Sequence, residues 1–158
     1  MDSAWLSERE REAWLGLIAV VELLPGVLET QLRRDSDLTH FEYFTLAMLS
    51  EAPDRTLRMT ELAGRTNATL SRLSHVVNRL EQRGLVHRFP CPEDRRATLA
   101  QLTEVGWDKV VEAAPGHVST VRESIFDTLT AEQVGQVAQI SAQILDRIDP
   151  EGIFYPRP

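Results

Sequence analysis

The residues best suited to chemistry lie between positions 69 and 96. Ser71, Arg72, His75, Asn78, Arg79 and Gln82 recur at steps that place them on one side of an α-helix. That side holds no carboxylate, and its residue types are those that meet nucleic acid. Arginine binds guanine through two hydrogen bonds, asparagine binds adenine, and serine serves either base or phosphate. Thr69, just ahead, has the right side chain to cap such a helix. Further on, the loop PCPEDRRA sets Arg95 and Arg96 between flanking strands. Its prolines stiffen the base of the turn, and Asp94 stands two residues from Arg96, close enough to brace the tip. A long arginine on a stiff hairpin suits a narrow minor groove, where negative potential concentrates. The competing reading is a solvated surface, but such surfaces usually mix both signs of charge.

The charge distribution favours a polyanion. The whole chain has a formal net charge of -7. From Arg55 to Arg96, however, nine arginines (55, 58, 65, 72, 79, 83, 88, 95 and 96) oppose only Glu61, Glu81, Glu93 and Asp94. This segment carries +5 and the remainder -12, so a basic module lies between acidic flanks.

Mostly helical elements must position these residues. Ser7 and Glu10 match a capping box, followed by an apolar stripe at Ala13, Leu17, Val20, Leu24, Val27 or Leu28, and Leu32. Pro25-Gly26 is expected to kink or break that helix. A second helix is expected from Thr39 to Ala52, ended by Pro53-Asp54. A short helix should run from Thr60 to about Thr66, with a tight turn at Asn67-Ala68. The helix from Leu70 should bury Leu70, Leu73, Val76, Val77 and Leu80 and stop at Gly84. Two helices so closely joined suggest a helix-turn-helix. Residues 85–89 and 98–102 read as strands.

Thr103 should cap a further helix interrupted by Pro115-Gly116. Thr130 to Gln133 match a second capping box, opening a stripe of Val134, Val137, Ala138, Ser141, Ile144, Leu145 and Ile148. Neither terminal stripe can be buried within so small a unit, and a second subunit would cover both.

No nucleophile–base pair, phosphate loop or metal-ligand spacing is evident, so an enzyme is not expected. His40, His75, His87 and His117 are scattered without an HxH or HExxH pattern, and neither a metal nor a cofactor is predicted. Cys91 is the single cysteine, so no intramolecular disulfide forms. We take it as a small loop residue, with redox sensing the minority reading. Trp14, Phe41, Tyr43 and Phe44 are candidates to line a pocket for an aromatic effector, although helical aromatics are more often core. The start MDSAWLSEREREAWL lacks the basic region of a secretory signal, and no apolar stretch reads as a membrane span. The chain is expected in the cytoplasm.

TELAGRT, TLSRLSHVVNRLEQRGLVHR and PEDRRATLAQLTEVG together resemble the MarR family of winged-helix transcription regulators. The most specific feature is a DxR loop, Asp94-Arg95-Arg96, running into LTxxG, Leu102 to Gly106. The resemblance implies a mainly α fold with a small β wing. It divides the chain into an N-terminal dimerisation helix (1–36), a winged helix-turn-helix (37–106) and C-terminal dimerisation helices (107–158). It also implies a homodimer on a pseudo-palindromic duplex DNA operator, a repressor role and release by a small, often phenolic, ligand. Carried over by position, Thr69 caps the recognition helix. Ser71, Arg72, Ser74 and His75 resemble base-facing and phosphate-facing positions, while Arg79 suits phosphate. His75 departs from the arginine common there, and a neutral imidazole is the weaker phosphate partner. The rival reading is a winged-helix module that binds protein. Such a module would not need Arg95 and Arg96, and its recognition face would tend to be apolar.

Overall fold

The computed structural model describes residues 5 to 156. Residues 1 to 4, part of the N-terminal stretch tested above for a leader, lie outside the described residues. Helix α1 (Glu8–Ser36) begins with the expected reciprocal cap between Ser7 and Glu10. Thr39 and Glu42 form a second such box at the start of α2 (His40–Glu51). A 3-10 turn then leads into strand β1 (Thr56–Arg58) and helix α3 (Met59–Arg65). Helix α4 (Leu70–Gln82) follows, its first turn capped by Thr69, whose hydroxyl accepts from the Arg72 amide at 3.1 Å. Strands β2 (Val86–Pro90) and β3 (Thr98–Leu102) form the hairpin. Helices α5 (Glu104–Ser124) and α6 (Ala131–Ile148) complete the chain.

The three strands make an antiparallel sheet in the order β1-β3-β2. Strand β1, which the sequence pattern does not reveal, pairs Thr56 with Gln101 and Arg58 with Leu99. Three residues are too few to show an alternating pattern, and the pairing partner lies far along the chain. The core fills the space between this sheet and helices α2 to α5. Leu32, Leu38, Leu46, Leu49, Leu62, Leu73, Val77 and Leu80 are fully buried there.

Four expectations need correction. Of the two alternatives at Pro25, the break does not occur, since α1 continues through it, and the interruption expected at Pro115 is absent from α5. A proline frees the carbonyl four residues back. Those carbonyls belong to Val21 and Val111, both exposed residues. Leu70, placed in the core by the helical wheel, is instead 49% exposed in the first turn of α4. Finally, one window within α1 is apolar and long enough to cross a bilayer by length and composition alone.

That apolar character reflects an uncovered face. Trp14, Leu17, Val20, Val21, Leu23 and Val27 on α1 are exposed, as are Val137, Ile140, Ile144 and Ile148 on α6. Helix α6 buries no residue within its own chain. Scattered exposed apolar residues are ordinary, whereas a continuous stripe this long marks an interaction surface.

The LTxxG motif has a mechanical role in joining the hairpin to α5. Thr103 donates its hydroxyl to the Gly84 carbonyl at 2.6 Å and its amide to the Leu85 carbonyl at 3.1 Å. The same hydroxyl accepts from the Gly106 amide at 3.0 Å, capping α5. Gly106 lies so close to the Leu85 carbonyl that a β-carbon would collide with backbone. Gly106→Ala should therefore destabilise by about 1–3 kcal/mol or more, as forced overpacking does. A lowered denaturation midpoint at unchanged m-value would report this. Wild-type stability would show that the close approach is easily relaxed.

Candidate nucleic-acid interface

Helix α4 buries Leu73, Val76, Val77 and Leu80 and turns the opposite side outward. On that side Ser71, Arg72, His75, Asn78 and Arg79 are exposed and Ser74 is half-buried. The structure thus brings the sequence-predicted residues of α4 onto one surface. Their local partners differ, and the differences matter.

Arg72 lies over the ring of Phe41, with Cζ 4.2 Å from the centroid. Beneath it a cleft of about 620 Å³ opens between α4 and the start of α2, lined in part by Thr39, Phe41, Ser71 and His75. Arg79 is tied to Glu42, with Nη2 3.4 Å from Oε1. Arg83 approaches the other oxygen of Glu42 at 3.8 Å and donates to the Asp37 carbonyl at 2.9 Å. The Arg79 side chain still keeps half of its surface exposed.

Arg88, which is not among the residues expected at the site, reaches across from β2 to the same helix. Its guanidinium donates to Asn78 Oδ1 at 3.3 Å and to Ser74 Oγ at 3.4 Å, and it pairs with Glu81 at 3.5 Å. Its place in the basic cluster is the signal that could have found it. Nothing in the local pattern shows that the strand brings it back over α4.

The hairpin loop is braced largely by backbone. The Cys91 amide donates to the Ala97 carbonyl and the Ala97 amide to the Asp94 carbonyl, both at 2.9 Å. Asp94 does hold Arg96, but through the Arg96 backbone amide at 3.1 Å and not through its guanidinium. Both arginine side chains at the tip are thereby left to solvent. Cys91 is buried, with its sulfur 3.8 Å from the Arg58 guanidinium. Between the hairpin and α4 runs a small groove of about 200 Å³ where Arg58, Arg88 and Arg96 converge with Ser74 and Leu70. Among the described residues, Arg58, Arg72, Arg95 and Arg96 have no carboxylate within ion-pair distance. Exposed arginines without acidic partners on α4, β1 and the hairpin of an acidic chain suit anion binding.

Residues 38–98 match the sequence model of the MarR family. The chain is also 42% identical to Sco3205, a MarR family transcriptional regulator from Streptomyces coelicolor solved in complex with DNA. The two share a TM-score of 0.86 over 91% of this chain and 94% of that one. The chain belongs to the MarR family. It is a DNA-binding transcriptional regulator with the family's winged-helix fold, not an enzyme.

Two curated relatives from Bacillus subtilis are also similar. The HTH-type transcriptional repressor YetL of Bacillus subtilis is 25% identical over 87% of this chain and 81% of its own length. The HTH-type transcriptional regulator YdcH of Bacillus subtilis is 35% identical, and the chain spans 55% of its length.

The four aromatic candidates are not drawn into one cavity. Phe41 lies under Arg72, Tyr43 packs on His117 at 4.5 Å, and Phe44 contacts His40 and Phe154. Trp14 is 51% exposed on the open face of α1. Around Tyr43 the junction of α1, α2 and α5 is unexpectedly polar. Gln31 is buried there, and its Oε1, like the Nδ1 atoms of His40 and His117, has no partner among the described residues. Burial holds both imidazoles below the ordinary histidine range, and in His117 the nearby His40 adds to the effect.

The wing arginines can be tested apart from the fold. Arg95 and Arg96 are exposed and lie outside the buried core. Replacing both with alanine should leave melting within about 0.5 kcal/mol of wild type. The slope of log affinity against log salt should flatten by roughly one unit for each phosphate no longer neutralised. Unchanged affinity and slope in the folded double variant would remove the hairpin from the DNA interface.

Proposed function

We propose that this regulator binds a pseudo-palindromic duplex operator as a homodimer and acts in the cytoplasm as a repressor released by a small molecule. The observation that carries the operator reading is that Arg58 and Arg96 share one groove between α4 and the hairpin, while Arg72 on α4 and Arg95 in the hairpin loop are exposed, and none of the four has a carboxylate partner among the described residues. In this reading α4 enters the major groove. Thr69, Ser71, Arg72, Ser74, His75 and Asn78 face base edges or nearby phosphates, and Arg79 meets the backbone. The hairpin, braced by Asp94, carries Arg95 and Arg96 to the adjacent minor groove.

The dimer reading assigns residues 1–36 and 107–158 to the interface, whose apolar faces on α1 and α6 have no cover in one chain. Two-fold symmetry would then match two half-sites about one helical turn apart. The repressor role is supported by the similarity to YetL, a transcriptional repressor. Release by an effector comes with the family resemblance. The candidates for its site are Trp14, Phe41, Tyr43 and Phe44, which occupy separate settings within the single chain.

Arg72 and Arg79 should separate base reading from backbone binding. Arg72→Ala should cost about 1–3 kcal/mol on an operator and relax preference at one base position. Arg79→Ala should weaken operator and scrambled DNA alike. It should also lower stability, because it removes a partner from the buried Glu42 carboxylate. Binding of both variants to both duplexes at matched salt decides the matter. Equal losses on the two duplexes for Arg72→Ala would confine that residue to phosphate.

A further inference from the structure

Arg72 is exposed, lacks an acidic partner among the described residues, and has its guanidinium carbon over the Phe41 ring, 4.2 Å from the centroid. The ring itself cannot move freely. Phe41 is half-buried, packs against the core, and lies in the first turn of α2, which the Thr39–Glu42 box fixes. The Arg72 backbone is equally fixed, because its amide is held by the Thr69 cap. We infer that Phe41 is a positioning residue for sequence reading: its ring sets the plane of the Arg72 guanidinium before DNA arrives.

The chemistry follows from the shape of the guanidinium. Stacking occupies its flat face and leaves the N–H groups at its edge free. Those groups are the ones that reach N7 and O6 of guanine as a pair. An unsupported arginine would have to give up its rotamer freedom on binding, and the stack removes part of that loss in advance. Specificity then depends on a helix outside the helix-turn-helix pair. A change in how α2 sits against α4 would alter base preference without touching a DNA-contacting residue.

This inference rests on Arg72 as a base reader, and the experiment separates the two. A duplex selected by the wild-type protein from a random pool is the operator. Arg72→Ala, tested on single base-pair replacements, locates the position that Arg72 reads. The measured quantity is the affinity ratio between the selected duplex and the same duplex changed at that position. Phe41→Leu should lower this ratio by about two- to fivefold, the factor an exposed guanidinium–ring contact is worth. Phe41→Tyr should keep it, and Phe41→Leu should lower it no further in an Arg72→Ala background. If Leu prevents folding, Phe41→Met takes its place, being flexible and apolar without a ring.

A wild-type or raised ratio in the folded variant would overturn the inference. So would the same loss in the Arg72→Ala background, since Phe41 would then act through the fold. If Arg72→Ala itself kept the wild-type ratio, the base-reading role of Arg72 would fall first and this inference with it.

Discussion

A single buried carboxylate, Glu42, ties α2 to α4. Glu42 has 9% of its side chain exposed, and an unpaired charge in such a place is strongly unfavourable. It is satisfied from two directions. Its own helix start supplies the Thr39 amide at 2.9 Å, and α4 supplies Arg79 at 3.4 Å and Arg83 at 3.8 Å. Helix α2 is thereby tied to α4 by charge as well as by packing, which keeps Phe41 under Arg72. The other flank is held from the sheet, where Arg88 bridges Glu81, Ser74 and Asn78. Glu42 on α2 and Glu81 on α4 hold Arg79, Arg83 and Arg88, while Arg72 on the outward side of α4 keeps its charge without an ion-pair partner among the described residues. An acidic chain can in this way present a basic surface.

The same shortage of partners explains the ends of the chain. The core is closed by α2 to α5 and the sheet, with Leu28 and Leu32 the only apolar side chains of α1 buried among the described residues. The rest of α1 and nearly all of α6 contribute apolar area that this core has no room to cover. Covering it with a second copy would remove two costs at once and would set two α4 helices at a fixed spacing. Duplex DNA requires such spacing for paired half-sites.

Much of this is legible in the sequence because it is local. The caps Ser7, Thr39, Thr69, Thr103 and Thr130 stand at the helix starts where a hydroxyl must accept a backbone amide. The carboxylate-free side of α4 follows from helical periodicity alone. The DxR and LTxxG pairing carries the resemblance, and the structure gives LTxxG a physical basis in the approach of Thr103 and Gly106 to Leu85. What escapes is mostly non-local. Strand β1 exists because β3 pairs with it, Arg88 reaches α4 only through strand geometry, and Phe41 meets Arg72 across two elements. Pro25 and Pro115 lie inside continuous helices, which the local proline signal alone does not foretell.

The central claim is that two copies of this chain, already associated, present the basic α4-and-hairpin surface to one duplex. Sedimentation of the protein with a duplex taken from the DNA flanking its own gene tests it most directly, over a range of salt and beside a scrambled duplex of equal length. The account predicts two chains per duplex at saturation, a preference for the flanking sequence, and affinity that falls steeply as salt rises. One chain per duplex, or binding that neither distinguishes the two sequences nor responds to salt, would contradict it.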